Sequence, residues 1–101
     1  MSLTRTVSAD GKVVTIKING RFDFSVHQEF RDAYHDSADK GSDFVLDFAN
    51  TEYIDSAACG MLLVFRDAAG GNSANIAIVN ANTEIVKTLS MLQFHKMFKI
   101  A

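Results

Sequence analysis

Hydrophobic and polar residues alternate over residues 12–18 (KVVTIKI). Val14, Ile16 and Ile18 take one side, and Val13, Thr15 and Lys17 the other. A period of two predicts a half-buried strand. Residues 3–7 predict a shorter strand, and the tight-turn pair Asp10-Gly11 between them makes a hairpin. Asn19-Gly20 ends the second strand in a turn. The period then becomes helical over residues 26–38, where Val26, Phe30, Ala33 and Tyr34 share a face. Ser25 is the expected N-cap, with Gln28 completing a capping box. Residues 43–48 (DFVLDF) and 74–81 (ANIAIVNA) are compact β-forming runs that suit interior strands. Between them, residues 56–69 predict a helix with one apolar stripe: Ala58, Met61, Leu62, Phe65 and Ala69. Gly70-Gly71 closes that helix. A third helix is predicted over residues 83–93. Asn82 is its cap, and Ile85, Val86, Leu89 and Leu92 form its apolar face. The final FKIA reads as a short last strand.

The order is β-β-α-β-α-β-α-β. Alternating strands and helices place the chain in the α/β class, with parallel neighbours joined by right-handed crossovers. The hairpin adds an antiparallel pair, so a mixed sheet with helices mainly on one face is expected. No repeat or linker divides the 101 residues, and residues 1–101 read as one domain.

Composition narrows the function classes. With 48% apolar residues and a formal net charge of −2, the chain is too apolar for disorder and too neutral for a charge-driven nucleic-acid binder. One cysteine makes neither an internal disulfide nor a structural zinc site. Residues 1–10 lack the apolar core of a signal peptide. The most apolar run, Ala57 to Phe65, is nine residues, against the ~20 of a spanning helix. A cytoplasmic domain is expected, with no cofactor, no metal, no nucleic acid and no membrane.

The informative segment is Tyr53-Ile54-Asp55-Ser56-Ala57-Ala58-Cys59-Gly60-Met61-Leu62-Leu63. It places Ser56 at a helix start, near free backbone N–H groups. The helix dipole there favours negative charge, and a phosphate on Ser56 would add about −1.5 to −2. Asp-Ser by itself is also an ordinary helix cap. The longer pattern says more. The run Asp55-Ser56-Ala57-Ala58-Cys59-Gly60 followed by apolar residues resembles the Asp-Ser-Ser/Thr-Gly-Leu-Gly signature of the STAS domains of bacterial anti-sigma factor antagonists. Gly20-x-Phe22-Asp23 is similar to that family's Gly-x-Leu/Phe-Asp loop, and the elements fall in family order over nearly the whole chain.

The resemblance implies a binding regulator and not an enzyme. Ser56 would be phosphorylated by a partner serine kinase with a histidine-kinase-like ATPase fold, and a metal-dependent serine phosphatase would reverse the mark. Phosphate would weaken the complex with the partner. Ala57 departs from the family's second hydroxyl residue, which leaves Ser56 as the acceptor in the motif. Ala58 and Cys59 replace glycine and leucine. Related small STAS proteins control outputs other than sigma factors, including biofilm and polysaccharide production. The family's further helix after the last strand has no counterpart before Ile100-Ala101, and uncovered apolar surface would favour a homodimer.

Helical spacing puts Ser56, Cys59, Gly60, Leu63, Arg66 and Asp67 opposite the Met61-Leu62-Phe65 stripe. Asp55 caps the helix and positions the serine, and Asp23 lies at the same sheet end. The resemblance adds Asp23 to the recognition surface, so the expected partner surface is Asp23, Asp55, Ser56, Cys59, Gly60, Leu63, Arg66 and Asp67. Two rival readings are a module binding a small ligand or nucleotide, and an enzyme using Cys59 at a helix N-terminus. No G-x-x-x-x-G-K-[ST] or G-x-G-x-x-G run supports a nucleotide cradle. His27, His35 and His95 are scattered and read as surface histidines.

Overall fold

The computed structural model describes residues 2–101. In chain order the elements are β1 (Leu3–Val7), β2 (Val13–Ile18), β3 (Gly20–Phe22), α1 (His27–Asp39), β4 (Asp43–Asp47), β5 (Thr51–Ile54), α2 (Ser56–Ala68), β6 (Ile76–Val79), α3 (Thr83–Met91) and β7 (Lys99–Ile100). Short 3-10 turns precede α1 and follow α2 and α3.

The main sheet has the order β1-β2-β4-β6-β7. β1 runs antiparallel to β2, pairing Leu3 with Ile18 and Val7 with Val14, and the other neighbours are parallel. The hairpin turn is built as the sequence suggests. Ser8 Oγ donates to Asp10 Oδ1 at 2.6 Å, Lys12 N–H donates to the same oxygen at 3.0 Å, and Gly11 takes φ +76°.

Strand order after β1 advances in one direction, β2 to β4 to β6 to β7. Right-handed crossovers then place every connecting helix on the same face. Burial agrees. Val14, Ile16, Ile18, Phe44, Leu46, Ile76 and Ile78 are buried beneath the helices. Val13, Thr15, Lys17, Val45, Asp47, Ala77 and Val79, on the opposite face, are only partly covered. Phe65 of α2 ties the layers together. Its ring lies 5.3 Å from Phe30 and 4.7 Å from Tyr34 on α1, and 4.9 Å from Phe44 on β4. None of the described helices is long and apolar enough to cross a membrane.

Three details differ from the sequence expectation. The chain turns at Gly20 (φ +80°) but resumes at once as β3, which pairs in parallel with β5 in a second, two-stranded sheet. Both strands are too short to show a period. Ser25 does not cap the first helix. Asp23 caps the preceding 3-10 turn by accepting from Ser25 N–H at 3.0 Å, and Gln28 bonds to Asp32 instead of closing a capping box. α3 ends at Met91, and Gln93 turns into the left-handed region (φ +61°), which leaves Leu92 half exposed.

Candidate functional site

β5 delivers the chain to Asp55 in extended conformation (φ −119°, ψ −177°), and α2 begins at Ser56. The Asp55 carboxylate accepts from Ala58 N–H at 2.8 Å, which satisfies one of the free donors of the first turn. Ala58 is fully buried in the core, so the turn is fixed from both sides. Ser56 is exposed. Its backbone is held while its side chain faces solvent.

The small sheet brings a second carboxylate to the same end. β3 pairs Arg21 with Tyr53 and Phe22 with Ile54, so Asp23 and Asp55 leave adjacent strands in step. Phe22 anchors that pairing, with its ring 5.2 Å from Phe30 and 5.9 Å from Phe48. Asp23 accepts from the Ser25 hydroxyl, from Ser25 N–H and from Arg21 Nε at 3.3 Å. The Ser25 bonds, and then the Arg21 charge, hold this carboxyl below the usual aspartate range. The Arg21 guanidinium also lies 4.4 Å from the centre of the Tyr53 ring.

Along α2 the expected outward row divides in two. Ser56, Gly60, Leu63 and Asp67 are exposed, and Leu63 shows 43% of its surface. Cys59 does not belong with them: it is 6% exposed and packs in the core. Arg66 is half-buried, and its Nη2 donates to Asn72 at 3.1 Å. The reason is helical phase. At about 100° per residue, Cys59 and Arg66 share a flank between the core stripe and the outer ridge, and that flank is covered. Burial pushes the Cys59 thiol up, with the Asp55 charge adding to the shift. A low-reactivity thiol follows, which removes the footing for a Cys59 nucleophile.

The opposite flank of α2 holds what the sequence did not nominate. A groove of about 390 Å³ opens between α1 and α2. Phe24, His27, Phe30, Arg31 and Tyr34 form one wall, and Ala57, Gly60, Met61 and Val64 the other. Phe24 is 65% exposed and its ring stacks on His27 at 4.9 Å, and Val64 is 63% exposed. An apolar Val64 outside the full core stripe of α2 is the sequence signal for this surface. Among the described residues, no three His, Cys, Asp or Glu side chains gather as metal ligands.

Comparison with known proteins places this geometry. The STAS domain family model matches residues 5–101. A STAS-domain containing protein of Pseudomonas aeruginosa (strain UCBPP-PA14) is 48% identical over 101 residues, which is the full length of both chains. Among solved structures, one from Thermotoga maritima assigned as an anti-sigma factor antagonist superposes with a TM-score of 0.81 at 20% identity, covering 97% of this chain and 84% of that one. The Bacillus cell fate determinant SpoIIAA in its phosphorylated form gives a TM-score of 0.75 at 14% identity, covering 98% of this chain and 90% of that one. The anti-sigma factor antagonist SpoIIAA in its unphosphorylated form gives 0.72 at 14% identity, covering 88% and 82%. These structural likenesses concern the fold, whereas the family match spans nearly every residue described above. On that match, the chain belongs to the STAS domain family.

Proposed function

We propose that this chain is a phosphorylation-switched binding regulator of the anti-sigma factor antagonist kind, in which Ser56 is the switch. One observation carries the reading: Ser56 is exposed at the first position of α2, beside a cap supplied by Asp55 and on a ridge with Gly60 and Leu63. The cap bond leaves the hydroxyl free for transfer. A partner serine kinase with a histidine-kinase-like ATPase fold moves the γ-phosphoryl group of ATP to Ser56 Oγ. The new P–O bond replaces the hydroxyl O–H, the proton departs, and ADP leaves. A metal-dependent serine phosphatase returns the hydroxyl by hydrolysis, releasing inorganic phosphate.

The direction of the switch follows from charge. With Ser56 unmodified, the ridge of Ser56, Gly60, Leu63 and Asp67 packs on the partner, with Asp23 at its edge. A dianion at the centre of that contact adds desolvation cost and like-charge repulsion. In this reading the chain works in the cytoplasm as a binding module and not as a catalyst. SpoIIAA has been solved in phosphorylated and unphosphorylated forms, which supports the same fold carrying such a mark.

The test is co-purification from the native cell with wild-type, Ser56→Ala and Ser56→Glu chains, followed by mass spectrometry. Phosphate at Ser56 is expected in the wild type, and a kinase-type partner is expected with Ser56→Ala and depleted with Ser56→Glu. Equal retention by the two variants, or phosphate found only elsewhere, overturns the proposal.

A further inference from the structure

Resting on the Ser56 reading, we infer that the groove between α1 and α2 seats an amphipathic helix of the partner, apolar on its buried face and acidic along its flank. The groove's length fits a helix. His27 to Tyr34 and Ala57 to Val64 each span seven positions, about 10 Å at 1.5 Å per residue, or two turns. Two turns take one set of i, i+3/i+4, i+7 anchors. α1 and α2 both lead back from one parallel strand to the next, so they run in the same direction and leave a straight furrow. Phe24 and Val64 on its rim are 65% and 63% exposed, more apolar surface than a closed small-molecule site leaves to water. Gly60 faces the open space of the furrow, since a Cβ built there meets nothing within 4 Å.

Charge selects the flank. Among the described residues, the groups lining the groove that can carry positive charge are Arg31 and His27, and no carboxylate lines it, in a chain whose net charge is −2. A helix with acidic residues beside its apolar stripe complements that lining. The same charge couples the groove to the switch. Gly60 lines the groove and is the helix neighbour of Ser56 at i+4, and Ala57, next to Ser56 in sequence, lines it too. A phosphate at Ser56 therefore stands at the groove mouth, facing the acidic flank of the bound helix.

Two synthetic peptides of about 15 residues test the chemistry. Both carry leucines at i, i+4 and i+7, one flanked by glutamates and the other by lysines. In NMR titrations the glutamate peptide is expected to shift the amides of His27, Tyr34, Gly60 and Val64 and to bind at least about fivefold tighter, a difference of about 1 kcal/mol. Arg31→Glu should reverse that preference. Gly60→Leu, which plugs the furrow at a helical position where leucine is favoured over glycine, should abolish binding without lowering the melting temperature. Shifts on the open sheet face, no preference between the peptides, or unaltered binding by Gly60→Leu overturns the inference.

The partner retained by Ser56→Ala supplies the second arm. Val64→Glu and Arg31→Glu, both outside the ridge of the proposed contact and made with Ser56 unmodified, should each weaken its binding at least about tenfold. If Ser56→Glu weakens binding and the groove variants do not, the groove assignment falls while the switch stands. If the groove variants weaken binding and Ser56→Glu does not, the switch falls while the groove stands. A small-molecule adduct seen by native mass spectrometry on the wild type and absent from Gly60→Leu also overturns the helix.

Discussion

At the scale of single residues, the helix start separates holding from exposing. Asp55 holds: its carboxylate takes the Ala58 N–H at 2.8 Å. Asp55→Ala removes the acceptor of this part-buried hydrogen bond, at a cost of about 0.5–2 kcal/mol. At about 4–8 °C per kcal/mol for a domain of this size, melting should fall by several degrees. Asp55→Asn, which retains an acceptor oxygen, should lose much less, and calorimetry of the two variants side by side checks this. Equal losses would mean that the carboxylate is not acting as a cap. Cys59 illustrates the opposite case, a thiol packed into the core. Its thiol is buried and pushed up by that burial, then by the Asp55 charge. Less thiolate is present at pH 8 than in the unfolded chain, so iodoacetamide should modify the native protein more slowly than the urea-unfolded protein. The sign for stability follows. A folded-state value above the unfolded one gives stability that is full below the ordinary thiol range and lost as pH rises through the raised value. Native alkylation as fast as the unfolded rate would contradict the burial.

At the scale of elements, legibility followed the length of the pattern. β2, β4 and β6 were readable because each has alternating or dense apolar residues, and α2 because Ala58, Met61, Leu62, Phe65 and Ala69 hold helical spacing over its full length. The β3–β5 pair was not, since three and four residues carry no period and their pairing is set by tertiary contacts of Phe22 and by Gly20. Asp23 is legible as lying at the same sheet end as Ser56, whereas the strand pair that brings it there is not. The misplacement of Cys59 has a related origin: a spacing rule divides a helix into two faces, whereas α2 has a core stripe, a covered flank, an outer ridge and a grooved flank. Two substitutions probe the elements. Gly20→Ala meets no atom within 4 Å but must adopt φ +80°, so its cost is backbone strain alone, about 1–2 kcal/mol. Phe65→Ala removes the ring that joins α1, α2 and β4 and should cost about 3–5 kcal/mol. Urea titrations rank the two, and a Gly20→Ala loss matching that of Phe65→Ala would show that β3 does more than position Asp23.

At the scale of the whole molecule, the question is whether a negative charge at Ser56 acts by altering the fold or by altering the contact. The fold predicts the second. Ser56 is exposed, and its charged form would sit at the positive end of a 13-residue helix whose first turn is already capped and anchored by a buried alanine. The dipole stabilises an anion at such a place by about 0.3–1 kcal/mol, partly offset by the neighbouring Asp55. Ser56→Glu should therefore leave the melting temperature of the isolated chain unchanged or raise it by up to a few degrees, with the gain shrinking as salt is added. Partner binding, measured on the same preparation, should fall. Binding lost with no loss of melting temperature is the signature of a switch located in the interface. A melting temperature several degrees lower for Ser56→Glu, with broadened amide signals in α2, would instead mean that the charge loosens the helix start, and the groove beside it would lose its shape together with the contact.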